Sequence, residues 1–427
     1  MANQSSRPIP FTRPLTILAP GPIDSAGRVP SPSHEHWPNL TEEATPPRVA
    51  DGASAGPSPP ASIYARLAGL PVVIDRCELQ PLVRDTSSGF TKVSLVVRLG
   101  SGSHVGEGED ITWDQIDQIE LLRGGDDLSW LHGARTFDEV STLLGLANLF
   151  PVEPIRESAR FYRRWAFESA ALDLALRQNG LSLQDAVGRT ARPVNFVASV
   201  RIGEPPSLAG LHAWLAQNPG LRFKLDPTLA WDDDLVAALA RLDCVDVIDL
   251  KGSYRNLSVA MAPEVGLYRR VIEGLPGAWI EDPALAPATE PLLGEHRDRI
   301  TWDEPIHSVA DVEALAWRPR MLNVKPARFG SLRAVFDTYD YCEVHGIGVY
   351  GGGMFEQGPG RGQLQYLASL FHPDAPNDIA PPEYNSQVIA PDLPHAPLAP
   401  DPHPTGFRWG SYDARRTIRQ QPAPDQG

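Results

Sequence analysis

Five ionisable residues, Lys224, Asp249, Glu281, Asp303 and Lys325, each close a short apolar run (LRFK, VDVID, AWIE, ITWD, MLNVK), at intervals of about 20 to 30 residues. Any one of them alone reads as an ordinary ion-pairing residue in a loop. Five in register at the ends of apolar segments point to a shared, partly dry site instead. Three carboxylates in such a place repel one another, and their pKa values rise unless a cation compensates. An all-oxygen donor set from three separate elements suits a hard ion, Mg²⁺ or Mn²⁺ in its place, so Asp249, Glu281 and Asp303 are the candidate metal ligands. An ammonium near such an ion and away from bulk water loses preference for its charged form. Lys224 and Lys325, flanking the acidic set in chain order, are therefore candidates for acid/base chemistry.

The elements that must position these side chains form a rhythm. From Pro193 onward, short apolar strands (VNFVASV, LRFKL, VDVIDL, AWIED, ITWDE, MLNVK, GIGVYGG) alternate with amphipathic helical stretches. At least seven such units in one run favour a closed parallel barrel, an α/β fold that places catalytic side chains at the C-terminal ends of its strands. Upstream, residues 71–100 alternate polar and apolar positions around the turn-like DTSSG, which predicts an antiparallel hairpin. FYRRWAFESAALDLALRQNG has helical spacing with Gly180 as its stop, so strands followed by helices predict a small α+β domain.

The ordered set RFKLD, VIDLKG, AWIEDP, TWDEP and NVKPARFG resembles the enolase superfamily, and within it the muconate-lactonizing-enzyme and o-succinylbenzoate-synthase branch. The resemblance covers roughly residues 71 to 385, since GEGED near Glu107 and WAFESAALDLAL look like its cap and GVYGGGMFEQGPGR like its seventh strand and loop. It implies a modified TIM barrel, (β/α)7β, with an α+β N-terminal capping domain. Loops such as Asp85 to Gly89 would close over the substrate. It also implies that one lysine abstracts the proton α to a substrate carboxylate while Mg²⁺ stabilises the enediolate. The outcome is then cycloisomerisation, syn-elimination by a dehydratase, or racemisation and epimerisation. A non-catalytic metal-binding barrel descended from the superfamily is the second reading.

Two positions depart from the family pattern. The second-strand KxK has Arg222 first, which cannot act as a base but can bind a carboxylate. The third-strand DxN has Lys251 last, which either binds a second anionic group of the substrate or turns into solvent. Glu356, after a glycine run, either meets a ligand or hydrogen-bonds its own loop. Asp282 and Glu304 fall on the opposite strand face from the ligands and read as supporting ion pairs. His307, His345 and His372 lack partners at metal-ligand spacing.

A net charge of −15 argues against a nucleic-acid surface, and 42% hydrophobic residues in 427 suffice for a large barrel plus a smaller domain. Cys77, Cys244 and Cys342 are widely spaced and read as core thiols in a reducing compartment. The expected organisation is a Pro-rich extension (1–70), the cap (71–190), the barrel (191–385) and a Pro-rich C-terminal segment (386–427) packing back on the cap. A cytoplasmic location is expected. So are a small-molecule carboxylate substrate and a homo-oligomer, with no nucleic acid and no membrane as partner.

Overall fold

The computed structural model describes residues 62–86, 90–124, 128–253, 263–385 and 392–410, and the architecture below refers to these. The period-two segments after residue 71 pair as expected. Strands β1 (Pro71–Ile74), β2 (Arg76–Asp85), β3 (Thr91–Ser101) and β4 (His104–Asp110) follow helix α1 (Ile63–Ala68), and β2, β3 and β4 form an antiparallel sheet. The tip of the DTSSG turn, residues 87–89, lies outside the described residues. After α2 (Gln115–Gly124), strand β5 (Gly133–Thr136) pairs antiparallel with β1, and α3 (Phe137–Leu146) leads to α4 (Ser158–Gln178).

Helix α4 lies directly on β4. A Cβ at Gly106 or Gly108 would stand 2.1 or 2.0 Å from the carbonyl oxygens of Ala170 and Ala166, so only glycine permits this approach. The contact is fixed by a fully buried ion pair, Arg163 Nε to Asp110 at 2.8 Å. The helix ends at Gln178 with Asn179 as its C-cap, and Gly180 takes φ +66°, a conformation that stops the helix as the sequence predicts. Helix α1 falls in the segment expected to be a loose extension. Its Ile63, Tyr64 and Leu67 are nevertheless buried, because Ile63 N–H donates to Asp340 and the Tyr64 hydroxyl to Asp138. The rest of that extension lies outside the described residues.

Beyond α5 (Leu183–Val187) the chain alternates strand and helix: β6 (Val197–Val200), α6 (Ala209–Gln217), β7 (Arg222–Leu225), α7 (Asp233–Leu242), β8 (Val245–Asp249), α8 (Val265–Gly274), β9 (Trp279–Glu281), α9 (Glu290–Glu295), β10 (Ile300–Trp302), α10 (Val309–Glu313), β11 (Met321–Val324), α11 (Pro326–Phe329), α12 (Leu332–His345), β12 (Gly348–Gly351) and α13 (Pro359–Phe371). The seven strands pair in parallel in sequence order. Every strand read from the sequence is present. Their near-continuous burial is what a sheet covered by helices requires.

The two edges of this curled sheet meet through a segment too short to be a named strand. Asp378 bridges in parallel to Gly352 after β12, and Asn377 to Phe196 before β6. Asn377, fully buried, accepts from Gly351 N–H at 2.7 Å and donates to the Asn195 carbonyl at 3.0 Å. The architecture is therefore a modified TIM barrel with an antiparallel-sheet cap. The C-terminal Pro-rich stretch packs on both parts. Leu398 exchanges backbone hydrogen bonds with Val194, Phe407 and Trp409 lie beside Tyr366 of α13, and Arg408 pairs with Asp173 of α4 at 2.7 Å.

Candidate active site

The strand ends bring all five candidates of the acid and base set into one buried cluster. Lys224 projects from β7 with Nζ 2.5 Å from Glu281 Oε1, 3.1 Å from Asp249 Oδ2 and 3.5 Å from Asp378 Oδ2. Asp249 and Glu281 are the last residues of β8 and β9, and Asp303 follows β10. Lys325 follows β11 and donates to Asp303 Oδ2 at 2.8 Å, while Arg328 of α11 reaches Asp303 Oδ1 at 2.8 Å. All five are buried, the three carboxylates almost completely.

Charge compensation decides the protonation states. Burial alone would raise Asp249, but Lys224 and Lys251 hold it well below the usual carboxylate range. Asp303 is likewise held low against burial by Arg328 and Lys325. Glu281 goes the other way: burial, with Asp249 and Asp303 nearby, outweighs Lys224 and pushes it up to about 7. Lys224 is opposed by burial, yet Asp249, Glu281 and Asp378 keep it well above the ordinary lysine range, as an ammonium.

Several contributors carry no sequence signal of their own. The Tyr350 hydroxyl of β12 donates to Glu281 Oε2 at 2.5 Å, and Asn323 of β11 donates to Oε1 at 3.3 Å. Asp282, at φ +47°, accepts the N–H groups of Asp303 and Glu304, both at 2.9 Å, and so ties the ends of β9 and β10 together. The ion pair expected of Asp282 is replaced here by these backbone hydrogen bonds. Replacing Tyr350 by phenylalanine removes a donor from a buried carboxylate and is expected to lower stability by about 1–3 kcal/mol. Urea unfolding of the two proteins checks this.

The weaker candidates separate. Arg222 opens β7 two residues before Lys224, toward the opposite end of the barrel, and its guanidinium is held by Asp246 at 2.6 Å and the Asp243 carbonyl. The substrate-binding role expected for it is corrected on this ground. Lys251 does not turn away into solvent. Its Nζ donates to Asp249 Oδ2 at 2.6 Å and lies 3.3 Å from Asp226. Glu356 takes the backbone alternative, accepting from Met354 N–H at 2.9 Å and pairing with Arg361 at 3.2 Å.

Donor chemistry tests the fit of a divalent ion. Three buried carboxylates from successive strands are an oxygen set for a hard ion, and the Lys224 ammonium already stands as a cation between two of them. Among the described residues, no three His, Cys, Asp or Glu side chains are arranged so that they could hold a metal ion. The chain's own cations hold the carboxylates instead. The residue types fit the ion, and its entry requires an ammonium to give way.

The chain carries a sequential parallel barrel under an antiparallel-sheet cap, with Lys, Asp, Glu, Asp and Lys at successive strand ends, the arrangement that its resemblance to the enolase superfamily implies. Its residues 65–186 and 190–386 match the N-terminal and C-terminal domains of a family described as a domain of unknown function, DUF8230. Among curated proteins, it is 28% identical over 239 residues to o-succinylbenzoate synthase of Bacillus subtilis, covering 53% of this chain and 62% of that protein. It is 30% identical over 225 residues to N-succinylamino acid racemase of Amycolatopsis sp, covering 50% and 59%. The chain thus spans less than two thirds of these relatives' length. Among solved structures, muconate lactonizing enzyme from Pseudomonas putida aligns with a TM-score of 0.59 at 20% identity, over 81% of this chain and 98% of that one. Dipeptide epimerase from Methylococcus capsulatus complexed with Mg ion aligns at 0.52 and 22%, over 72% and 88%. These two share the fold. No described helix is long and apolar enough to cross a membrane.

Proposed function

We propose that this protein is an enzyme that removes the proton α to the carboxylate of a small organic acid, through an enediolate, to isomerise it or eliminate from it. The observation that carries the reading is the placement of Lys224 and Lys325. They stand at the ends of β7 and β11, on either side of the three carboxylates carried by β8, β9 and the end of β10. Lys224 is the proposed base: the carboxylates that keep it an ammonium here would release it when they hold a divalent ion, and Lys325 returns a proton, takes one from the other face or stabilises charge. Asp249, Glu281 and Asp303 would hold Mg²⁺, which when bound supplies positive charge to the developing oxyanion. Arg328 and Lys325 orient Asp303, and Tyr350 and Asn323 orient Glu281. Burial of the cluster keeps water from these charges and strengthens every interaction among them.

The test is solvent deuterium exchange at Cα, followed by proton NMR, with a dicarboxylate, an N-acyl amino acid, a dipeptide and a sugar acid. Exchange of one class is expected with Mg²⁺ present, lost on chelation and restored on adding the ion back. No exchange in any class with metal present contradicts the reading. A second reading, a barrel that holds ligands without turnover, draws on the full matching of the carboxylates by Lys224, Lys251, Lys325 and Arg328. It predicts ion binding with no exchange.

A further inference from the structure

Lys251 stands where the family pattern has a neutral amide, and its backbone is bent to bring its charge back onto the strand it follows. The residue takes φ +49°, a left-handed conformation that is unfavourable for any residue with a side chain. Its neighbours hold it there. Leu250 N–H donates to the Glu281 carbonyl at 2.9 Å and Gly252 N–H to the Asp282 carbonyl at 2.7 Å, which locks the turn onto the end of β9. Gly252 cannot carry a side chain, since a Cβ would meet Ala284 N at 2.2 Å. In this turn Lys251 grips Asp249 twice, its own N–H to Oδ1 at 3.1 Å and its Nζ to Oδ2 at 2.6 Å. Asp226, just after β7 and partly exposed, stands 3.3 Å from the same Nζ.

We propose that the Lys251 ammonium is a tethered competitor for the cation position on Asp249, so that the free protein binds a divalent ion weakly, and that Asp226 is where the ammonium rests when the ion enters. This rests on the metal reading given above. The Lys251 ammonium occupies Asp249 Oδ2 at 2.6 Å, beside Lys224 at 3.1 Å, so an ion approaching that oxygen meets a charge tethered two residues away that must shift to admit it. An ammonium withdrawn from a buried carboxylate needs another anion, and Asp226 is the one already within reach. Lys224 remains on Asp249 when Lys251 is removed, so the carboxylate is not left bare.

Calorimetric titration of the full chain with Mg²⁺ and with Mn²⁺ tests this, alongside thermal unfolding of each variant. Lys251→Asn and Lys251→Met are both expected to bind the ion about tenfold more tightly or better, because a partly buried competing charge is gone. Asp226→Asn is expected to bind more weakly than wild type, since the ammonium loses its alternative partner. Wild-type binding with no tightening in either folded Lys251 variant overturns the inference and leaves the metal reading standing. Absence of binding in wild type and in every folded variant overturns both.

Discussion

Replacing Lys224 by alanine or by arginine is expected to reduce α-proton exchange by about 10³-fold or more, within the range general-base removal produces. The two variants fail for different reasons, and the comparison separates chemistry from folding. Alanine leaves Asp249, Glu281 and Asp378 without the ammonium that stands within 3.5 Å of all three, so stability should also fall by about 3–5 kcal/mol. Arginine keeps a positive charge at the end of β7 but cannot give up its proton at neutral pH. It should therefore unfold closer to wild type while showing the same loss of exchange. NMR in deuterated buffer reads the exchange and urea titration the stability. An arginine variant that exchanges at the wild-type rate rules out Lys224 as the base.

The five strand-end residues were legible because each closes an apolar run, and a parallel strand buried on both faces delivers its last side chain to one rim of the barrel. The same logic failed at Arg222. Two residues along a strand keep the same face, but they also move about 6.6 Å along the barrel axis. That shift carries Arg222 toward the opposite end, where Asp246 on the neighbouring strand is its partner. Tyr350 and Asn323 were missed because an interior polar residue within a strand looks like any core position until its partner across the barrel is known. Asp378 was missed because the bridge that closes the barrel involves only Asn377 and Asp378, far too short for a periodicity to register. At Lys251, spacing gives the strand face but not the sign of φ, and it is the left-handed turn that returns the ammonium to Asp249. Local pattern thus carried the elements and their ends, while contacts between elements distant in sequence set which charges meet.

Glu109→Ala is expected to lower stability by about 3–5 kcal/mol, because three buried N–H groups lose their acceptor at once. Glu109 lies on β4 of the cap, yet its carboxylate accepts from Gln357 N–H at 2.7 Å, Gly358 N–H at 2.8 Å and Gly360 N–H at 3.2 Å. Those groups open α13, so a cap residue supplies the anion that a helix N-terminus favours. The Ser94 hydroxyl on β3 fixes the same carboxylate at 2.8 Å, and Gly360 must lack a side chain because a Cβ would meet Glu109 Cβ at 2.9 Å. Glu109→Gln keeps one acceptor oxygen and turns its NH2 toward either Gln357 N–H or the Gly358 and Gly360 N–H pair, so it should cost about 1–3 kcal/mol and fall between wild type and alanine. The loop fastened here follows β12, the strand that presents Tyr350 to Glu281, and includes Gly352, where a Cβ would meet Lys325 at 2.5 Å. Loosening it should therefore also weaken α-proton exchange in the alanine variant. Urea unfolding of the alanine variant that matches wild type would mean that the cap and the barrel are held together without this contact.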